Sequence, residues 1–211
     1  MHISKAFEQT DTSALITCIT NNPFATVICN GTKGIEAHHI PLHLVENGKD
    51  SLLLKGHIAR ANKLWKTIED NTNSLVIFQG PHSYISPNLY PTKQEHGKAV
   101  PTWNYISIHI RGNISFIHDS KWKLDMLNQL TNSLEAKEKA PWQVADAPRD
   151  YIEKQLGGIV GLEITINSIE GQWKLSQNQP AENQAGVIKG LAESTRFDYK
   201  IMSELVKNAN S

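Results

Sequence analysis

The chain has 211 residues, of which 39% are hydrophobic and 20% are charged. Such a chain can bury one sizeable core and is short for two domains of ordinary size, so we expect a single domain over residues 1–211, with helical additions in its C-terminal part. Its 21 basic and 21 acidic residues give a formal net charge of zero, which excludes a global field that would attract nucleic acid or an anionic membrane. No segment has membrane-spanning length and residues 1–9 lack a secretory signal, so we expect a soluble, cytoplasmic protein with no membrane partner.

The first part of the chain predicts one helix followed by a β-rich segment. Thr10 and Asp11 are good N-cap residues for a helical apolar pattern that ends before Pro23. Three β-prone runs follow, separated by turn residues at 30–34 and 47–50: 25–29, 35–45 and 51–55. After this meander, residues 58–71 are typical of a short helix and residues 74–78 of a buried strand.

The second part alternates between strands and helices. Residues 79–98 are rich in glycine and proline and predict a loop, interrupted by a short extended segment at 83–86. The remaining predicted elements are strands at 99–111 and 113–116 joined by a turn at Gly112, a helix capped by Asp119 or Ser120, a helix from Pro148 to Leu156, a strand at 158–169 and a final helix at 181–193. Many short antiparallel strands with helices between them predict an α+β fold that is predominantly antiparallel β, a small barrel with peripheral helices.

A basic motif stands where a strand leads into a helix. The segment GHIARANKLW follows Lys55 and contains His57, Arg60 and Asn62. The free N–H groups of a helix start favour anions, and cationic side chains nearby would help to hold a phosphate. A lysine and an arginine that flank a surface turn are more often simply solvated, so these residues alone do not establish a phosphate site.

Three further segments combine aromatic and polar side chains. They are FQGPHSYISPNLY, VPTWNY and, after the strongest predicted strand, the polar end of GIVGLEITINSIEGQWKLSQN. A flat heteroaromatic ligand needs an aromatic or apolar wall and a few fixed donors and acceptors, which these residue types provide. Core aromatics at a barrel seam and a capped strand end are the structural alternatives.

Taken together and in this order, these four segments resemble the PaiB-type family, the FMN-binding negative transcriptional regulators. The resemblance spans nearly the whole chain. It implies an FMN-binding split β-barrel of Greek-key-like topology, similar to the pyridoxamine-phosphate-oxidase-like flavoproteins, and a homodimer that holds FMN at its interface. It also implies phosphate and ribityl contacts from Lys55, His57, Arg60 and Asn62, ring contacts from Tyr84, Ile85, Ser86, Trp103 and Asn104, and contacts from the partner chain by Lys174, Ser176 and Gln177.

The resemblance leaves the use of the flavin open. We expect a negative transcriptional regulator with the flavin as ligand or redox sensor, and the alternative is an FMN-dependent oxidoreductase acting on a small molecule. A haem-binding split-barrel protein is a minor alternative. The motifs identify no catalytic acid or base, so the sequence does not decide whether the chain is an enzyme. DNA is a possible partner that the charge distribution does not favour, because no predicted helix carries a basic stripe.

The nine histidines do not predict a metal site. His38 and His39 would point to opposite faces of a strand, and His39 and His43 would lie about 13 Å apart at ~3.3 Å per residue. Zinc ligands must converge to about 2 Å from one ion. We therefore expect no zinc site from this cluster.

Overall fold

The computed structural model describes residues 1–48 and 51–210 and contains a largely antiparallel sheet with helices around it. The strands are β1 (Glu8–Gln9), β2 (Phe24–Gly31), β3 (Gly34–Pro41), β4 (His43–Glu46), β5 (Leu52–Ala59), β6 (Thr72–Ile85), β7 (Thr102–Ile117) and β8 (Ile159–Lys174). The helices are α1 (Thr12–Asn21), α2 (Leu64–Thr67), α3 (Lys93–His96), α4 (Ser120–Glu135), α5 (Arg149–Gly157), α6 (Ala181–Ala192) and α7 (Phe197–Ala209). The strand order is β3-β2-β6-β7-β8-β5-β4, with β1 paired to β8.

The residues cluster into two compact units. The first unit consists of Met1–Leu15, Gln79–Ile108 and the residues from Glu170 onward, and the second consists of Ile16–Phe78 and His109–Ile169. The unit boundaries fall within α1, β6, β7 and β8.

The strand pairing in the second unit does not form a closed barrel among the described residues. Strands β2 and β3 pair in register with Thr26 opposite His39, and β5 pairs with β8 with Gly56 opposite Leu162. A Cβ on Gly56 would lie 2.7 Å from the carbonyl oxygen of Pro41, so glycine allows β5 to pass the end of β3 closely. No ladder joins the two edge strands, β3 and β4, in the part of the chain that the structure describes, which leaves the barrel split.

Helix α4 covers one face of β5 and β8 in the second unit. The Asp119 carboxylate caps the helix by accepting a hydrogen bond from the Trp122 amide at 2.7 Å. The ring of Trp122 lies over Gly161, where a Cβ would come within 2.5 Å of it. On the same helix Lys123 is buried, and its ammonium donates to the carbonyl oxygen of Leu156 at 2.6 Å, which ties α4 to α5.

Helices α6 and α7 form the C-terminal part of the first unit. Four of their apolar side chains are fully buried: Val187, Leu191, Met202 and Val206. The Ser203 hydroxyl donates to the carbonyl oxygen of Ile188 at 2.7 Å across the pair. A Cβ on Gly186 would lie 2.1 Å from the carbonyl oxygen of Leu89, so α6 packs closely against the short 3-10 turn Pro87–Leu89.

The predicted α+β class, predominantly antiparallel, is confirmed, as are the helices now seen as α1, α4, α5 and α6. The predicted helix at 58–71 is wrong, because β5 extends to Ala59 and α2 has only four residues. The predicted turn at Gly112 is also wrong: this glycine is buried within β7, where a Cβ would lie 2.4 Å from the carbonyl oxygen of Thr165. Of the predicted turn at 47–50, Lys49 and Asp50 lie outside the described residues.

Two further elements differ from the prediction. The first part of the predicted loop at 79–98 is strand, because β6 continues to Ile85. The buried positions of β6 change from even to odd numbers between Gly80 and Ser83, and this break in alternation conceals the strand in the sequence. Helix α7 was not predicted at all. None of the helices in the described ranges is long and apolar enough to cross a membrane.

Candidate ligand-binding site

The first unit contains an open cavity of about 300 Å³. Its cationic groups are Lys98 and Lys174. Its hydroxyl groups come from Tyr90, Thr92, Thr102 and Ser176. Its carboxamides are those of Asn104, Asn178, Gln179 and Asn183. No acidic side chain lines the cavity within the described part of the chain, so the site has donors and positive charge without a counter-charge.

Two buried polar side chains belong to the wall of this cavity. Asn104 and Ser176 are 1% and 4% exposed, and the Asn104 amide donates to the Ser176 hydroxyl oxygen at 2.9 Å. Ser176 has a φ of 64°, a left-handed conformation that few residues other than glycine adopt. The backbone therefore turns sharply directly after β8, and this turn brings the serine hydroxyl to Asn104 on β7.

Lys174 is the half-buried cation of the cavity. Its ammonium donates to the hydroxyl oxygen of Thr102, and burial lowers its pKa from the ordinary value. No carboxylate stabilises this charge among residues 1–48 and 51–210. A lysine in such surroundings attracts an anion or gives up its proton more readily than an exposed lysine.

An aromatic face lies on the outer side of the sheet in the first unit, and it consists of His82, Tyr84 and Trp103. The ring of Trp103 lies 5.8 Å from that of His82 and 6.1 Å from that of Tyr84. Trp103 is 51% exposed and Tyr84 is 41% exposed, which is unusual for a cluster of large rings. Between His82 and Tyr84 in the sequence, Ser83 is fully buried and its hydroxyl has no partner in the described residues.

In the second unit, Lys55 and His57 lie on the same face of β5. The Lys55 ammonium is 3.7 Å from the Glu163 carboxylate and 5.5 Å from the centroid of the Trp122 ring. Burial lowers the pKa of the His57 imidazole, and its Nδ1 atom has no hydrogen-bond partner in the described part of the chain. Lys55 is thus already paired, whereas His57 has a buried nitrogen without a partner in the described residues.

Arg60 and Asn62 stabilise the turn that follows β5. The Arg60 guanidinium donates to the carbonyl oxygens of Gly157 at 2.7 Å and Ile159 at 3.2 Å. The Asn62 side chain accepts from the Leu64 amide at 3.0 Å and lies 3.3 Å from Nδ1 of His38. Both side chains therefore hold the local backbone in place.

The remaining predicted site residues have local roles. Ile85 is completely buried, so only its backbone can face a ligand. The Ser86 hydroxyl accepts from the Asn88 amide at 3.2 Å and starts the 3-10 turn. Gln177 donates to the carbonyl oxygen of Trp173 at 2.6 Å and accepts from the Leu175 amide at 2.7 Å.

Within each unit the structure brings several predicted residues together. Tyr84 and Trp103 are in ring contact, and Asn104, Lys174 and Ser176 share the cavity. Sequence reasoning missed Lys98, Thr102 and Asn183, which line the same cavity. Thr102 stands inside the quoted VPTWNY segment, but nothing in spacing or composition marks Lys98 or Asn183. No group of three histidine, cysteine or acidic residues is placed to hold a metal ion in the described ranges.

Solved structures define the class of this fold. A conserved hypothetical protein from Mycobacterium tuberculosis matches with a TM-score of 0.58 at 5% identity, covering 85% of this chain and 94% of that one. The FAD and heme binding protein from Mycobacterium smegmatis matches with a TM-score of 0.57 at 16% identity, covering 79% and 73%. Identities this low define the fold alone, and that fold is a split β-barrel with helical additions.

The model of the family described as "Putative FMN-binding domain" matches residues 1–168. The chain therefore belongs to this FMN-binding family, and FMN is its cofactor. It is similar to the protein named "Protease synthase and sporulation protein PAI 2" of Bacillus subtilis (strain 168), with 34% identity over 214 residues that cover 99% of this chain and 97% of that protein. It is also 33% identical over 243 residues to an uncharacterized protein of Emericella nidulans, covering 98% of this chain and 96% of that one.

Each unit, considered by itself, contains side chains of the kind that contact FMN. In the first unit, the exposed rings of Tyr84 and Trp103 offer a flat wall of the type on which an isoalloxazine packs. In the second unit, the buried Nδ1 of His57 lacks a partner that a ribityl or phosphate oxygen would supply.

Proposed function

We propose that this chain is a cytoplasmic, homodimeric negative regulator of transcription in which FMN acts as a bound ligand or redox sensor. The observation that carries the proposal is the 34% identity, across 99% of this chain, to a Bacillus subtilis protein named for protease synthesis and sporulation. That name connects the relative with protease synthesis and sporulation, and control of such processes is what we propose for this chain. The FMN-binding family match supplies the ligand through which such control would act.

For the flavin ring, we propose contacts with the aromatic face. Tyr84 and Trp103 stay exposed although large rings normally gain by burial, at about 25 cal/mol for each Å² of apolar surface removed from water. A flavin, together with a second copy of the chain, would cover them. The same exposure supports the homodimer that we propose.

For the ribityl chain and phosphate, we propose contacts with the basic motif of the second unit. His57 is the strongest candidate, because its buried Nδ1 has no partner among the described residues. Lys55 and Arg60 would add positive charge and Asn62 a carboxamide, although Glu163 and two backbone carbonyls already engage the two cations. We therefore expect a larger effect on flavin affinity from His57 than from Arg60.

If the protein binds DNA, we propose that the contact is assembled from several elements or from two protomers. Each of the helices α4, α5, α6 and α7 carries equal numbers of acidic and basic residues, and Lys123 of α4 is buried. A single recognition helix normally presents an excess of basic groups to phosphates. Binding of this kind would fall steeply with salt.

The alternative function is an FMN-dependent oxidoreductase acting on a small molecule. Lys174 favours it, because a lysine with a lowered pKa in an open cavity can orient a substrate or donate a proton. Haem binding is a minor alternative that one spectrum excludes or establishes.

The test is an absorbance spectrum and an FMN titration of the purified protein, followed by anaerobic addition of NADH or NADPH. We expect stoichiometric FMN binding, no rapid bleaching by either nucleotide, and a change in oligomeric state or DNA affinity on flavin reduction by dithionite. Rapid bleaching with turnover of an acceptor would favour the oxidoreductase. A Soret band, or no flavin binding, would overturn the proposal.

A further inference from the structure

The cavity of the first unit carries positive charge that the chain does not neutralise. Lys98 and Lys174 both line it, and neither has an acidic partner in the described residues. Removing an ammonium group from water without a counter-charge is unfavourable. The lowered pKa of Lys174 is the expected consequence of that burial.

The cavity also contains donors that are not used inside the chain. The hydroxyl of Tyr90, the carboxamide of Asn178 and the ammonium of Lys98 line it without a hydrogen-bond partner among residues 1–48 and 51–210. Asn104 and Ser176, by contrast, bond to each other and stabilise the wall. Fixed walls with free donors and positive charge are typical of a site for a small anion.

The size of this cavity distinguishes it from a flavin site. Its volume of about 300 Å³ is at the lower end of small-molecule sites, which suits a ligand smaller than a flavin nucleotide. The resemblance to the PaiB-type family implies flavin contacts from Lys174 and Ser176 of the same wall. The experiment must therefore distinguish a separate anion from the flavin phosphate.

We propose that the cavity of the first unit binds a small organic anion with a carboxylate or phosphate group, distinct from the flavin, through the ammonium groups of Lys174 and Lys98. Tyr90 and Asn178 donate further hydrogen bonds to it. Such an anion is the effector if the protein is a regulator and the substrate if it is an oxidoreductase. The proposal goes beyond the proposed function, because the anion site does not depend on flavin binding.

The experiment is isothermal titration of the full-length protein with malonate and, separately, with inorganic phosphate at constant ionic strength. Malonamide, which has the shape of malonate without its charge, is the control ligand. We expect at least one of the two anions to bind while malonamide does not. Equal binding of malonate and malonamide, or no binding of either anion, would overturn the proposal.

Variants assign the binding to the cavity. Lys174→Gln keeps a donor for Thr102 and should weaken anion binding roughly tenfold or more, the effect of losing a charge-assisted hydrogen bond. Lys98→Gln tests the same site at an exposed position. Because the Lys98 side chain is not buried, its replacement should not affect folding. Lys189→Gln, on the exposed side of α6 in the same unit, is the matched control and should leave the affinity unchanged. If all three variants bind like the wild type, the anion does not bind in this cavity.

The cavity could hold either a separate small anion or the phosphate group of FMN. Comparing FMN with riboflavin, which lacks the phosphate, distinguishes these two cases. We expect the ratio of FMN to riboflavin affinity to be unchanged in Lys174→Gln, and malonate to leave both flavins bound. If malonate displaces FMN but not riboflavin, and Lys174→Gln removes the preference for FMN, the cavity holds the flavin phosphate and the proposal of a distinct anion is wrong. A protein that binds malonate but no flavin would sink the proposed function alone.

Discussion

The two units differ in whether their basic side chains have partners within the chain. In the second unit Lys55 pairs with Glu163 and Arg60 bonds to two backbone carbonyls. In the first unit Lys98 and Lys174 face an open cavity without an acidic partner in the described residues. A basic residue in a conspicuous motif is therefore no better a ligand candidate than one in a plain loop until its partners are known.

The aromatic residues of the two units differ in the same way. Trp122 of the second unit packs over Gly161 and beneath the Lys55 ammonium. Trp103 of the first unit has half of its surface in solvent. The first tryptophan holds the fold together, and the second is available for binding.

We expect the largest effect when the two tryptophans are replaced in the flavin-free protein and the free energy of unfolding is compared. Trp122→Ala should lower the free energy of unfolding by roughly 2–3 kcal/mol, because it leaves a gap over a glycine where nothing else can pack. Trp103→Ala should change it by less than about 0.5 kcal/mol, because its ring is largely exposed. Urea unfolding of both variants measures the difference. Equal destabilisation would mean that Trp103 is a structural residue and not part of a binding face.

We expect a smaller difference in the free energy of unfolding between variants of Arg60 and of Lys98. Arg60→Ala should lower the free energy of unfolding by about 1 kcal/mol, since it removes two hydrogen bonds from a charged donor at an exposed site. Lys98→Ala should have no measurable effect. Arg60→Lys keeps the charge but cannot reach both carbonyls, so it should fall between the wild type and Arg60→Ala. The same urea titrations apply, and a neutral Arg60→Ala would show that Arg60 is free to hold a phosphate after all.

The sequence predicts best the elements whose signals are local. Asp119 before a helical apolar pattern predicts α4, and the proline before Arg149 predicts the start of α5. The sequence predicts secondary structure poorly where a glycine is needed because a strand distant in sequence passes close to it. Gly112 indicates a turn by local rules, and only the approach of Thr165 explains why it lies inside β7.

The candidate site shows the same limit. The quoted motifs contain Trp103, Lys174 and Ser176, because the resemblance directs attention to whole segments. The cavity also depends on Lys98 and Asn183, which are brought to it by the loop before β7 and by α6. A lysine in a loop has no periodicity or spacing that marks it. Ion pairing is equally invisible, since Glu163 lies more than a hundred residues from Lys55.

The smallest expected effect concerns pH and the unpaired His57. Burial lowers the pKa of His57 below its ordinary value of 6.5, so the unfolded chain takes up a proton at a higher pH than the folded chain does. The free energy of unfolding should therefore decrease as the pH falls through 6.5, and this contribution should level off once the folded imidazole is protonated as well. In His57→Gln that part of the acid sensitivity should disappear, as measured by urea unfolding at several pH values between 7.5 and 5. The pKa of His43 is also lowered, by burial and by Lys55. The matched variant His43→Gln should therefore lose a similar part of the acid sensitivity. If the wild type and His57→Gln lose stability in parallel, a partner already satisfies His57 in solution, and its assignment as the free ligand group of the second unit is wrong.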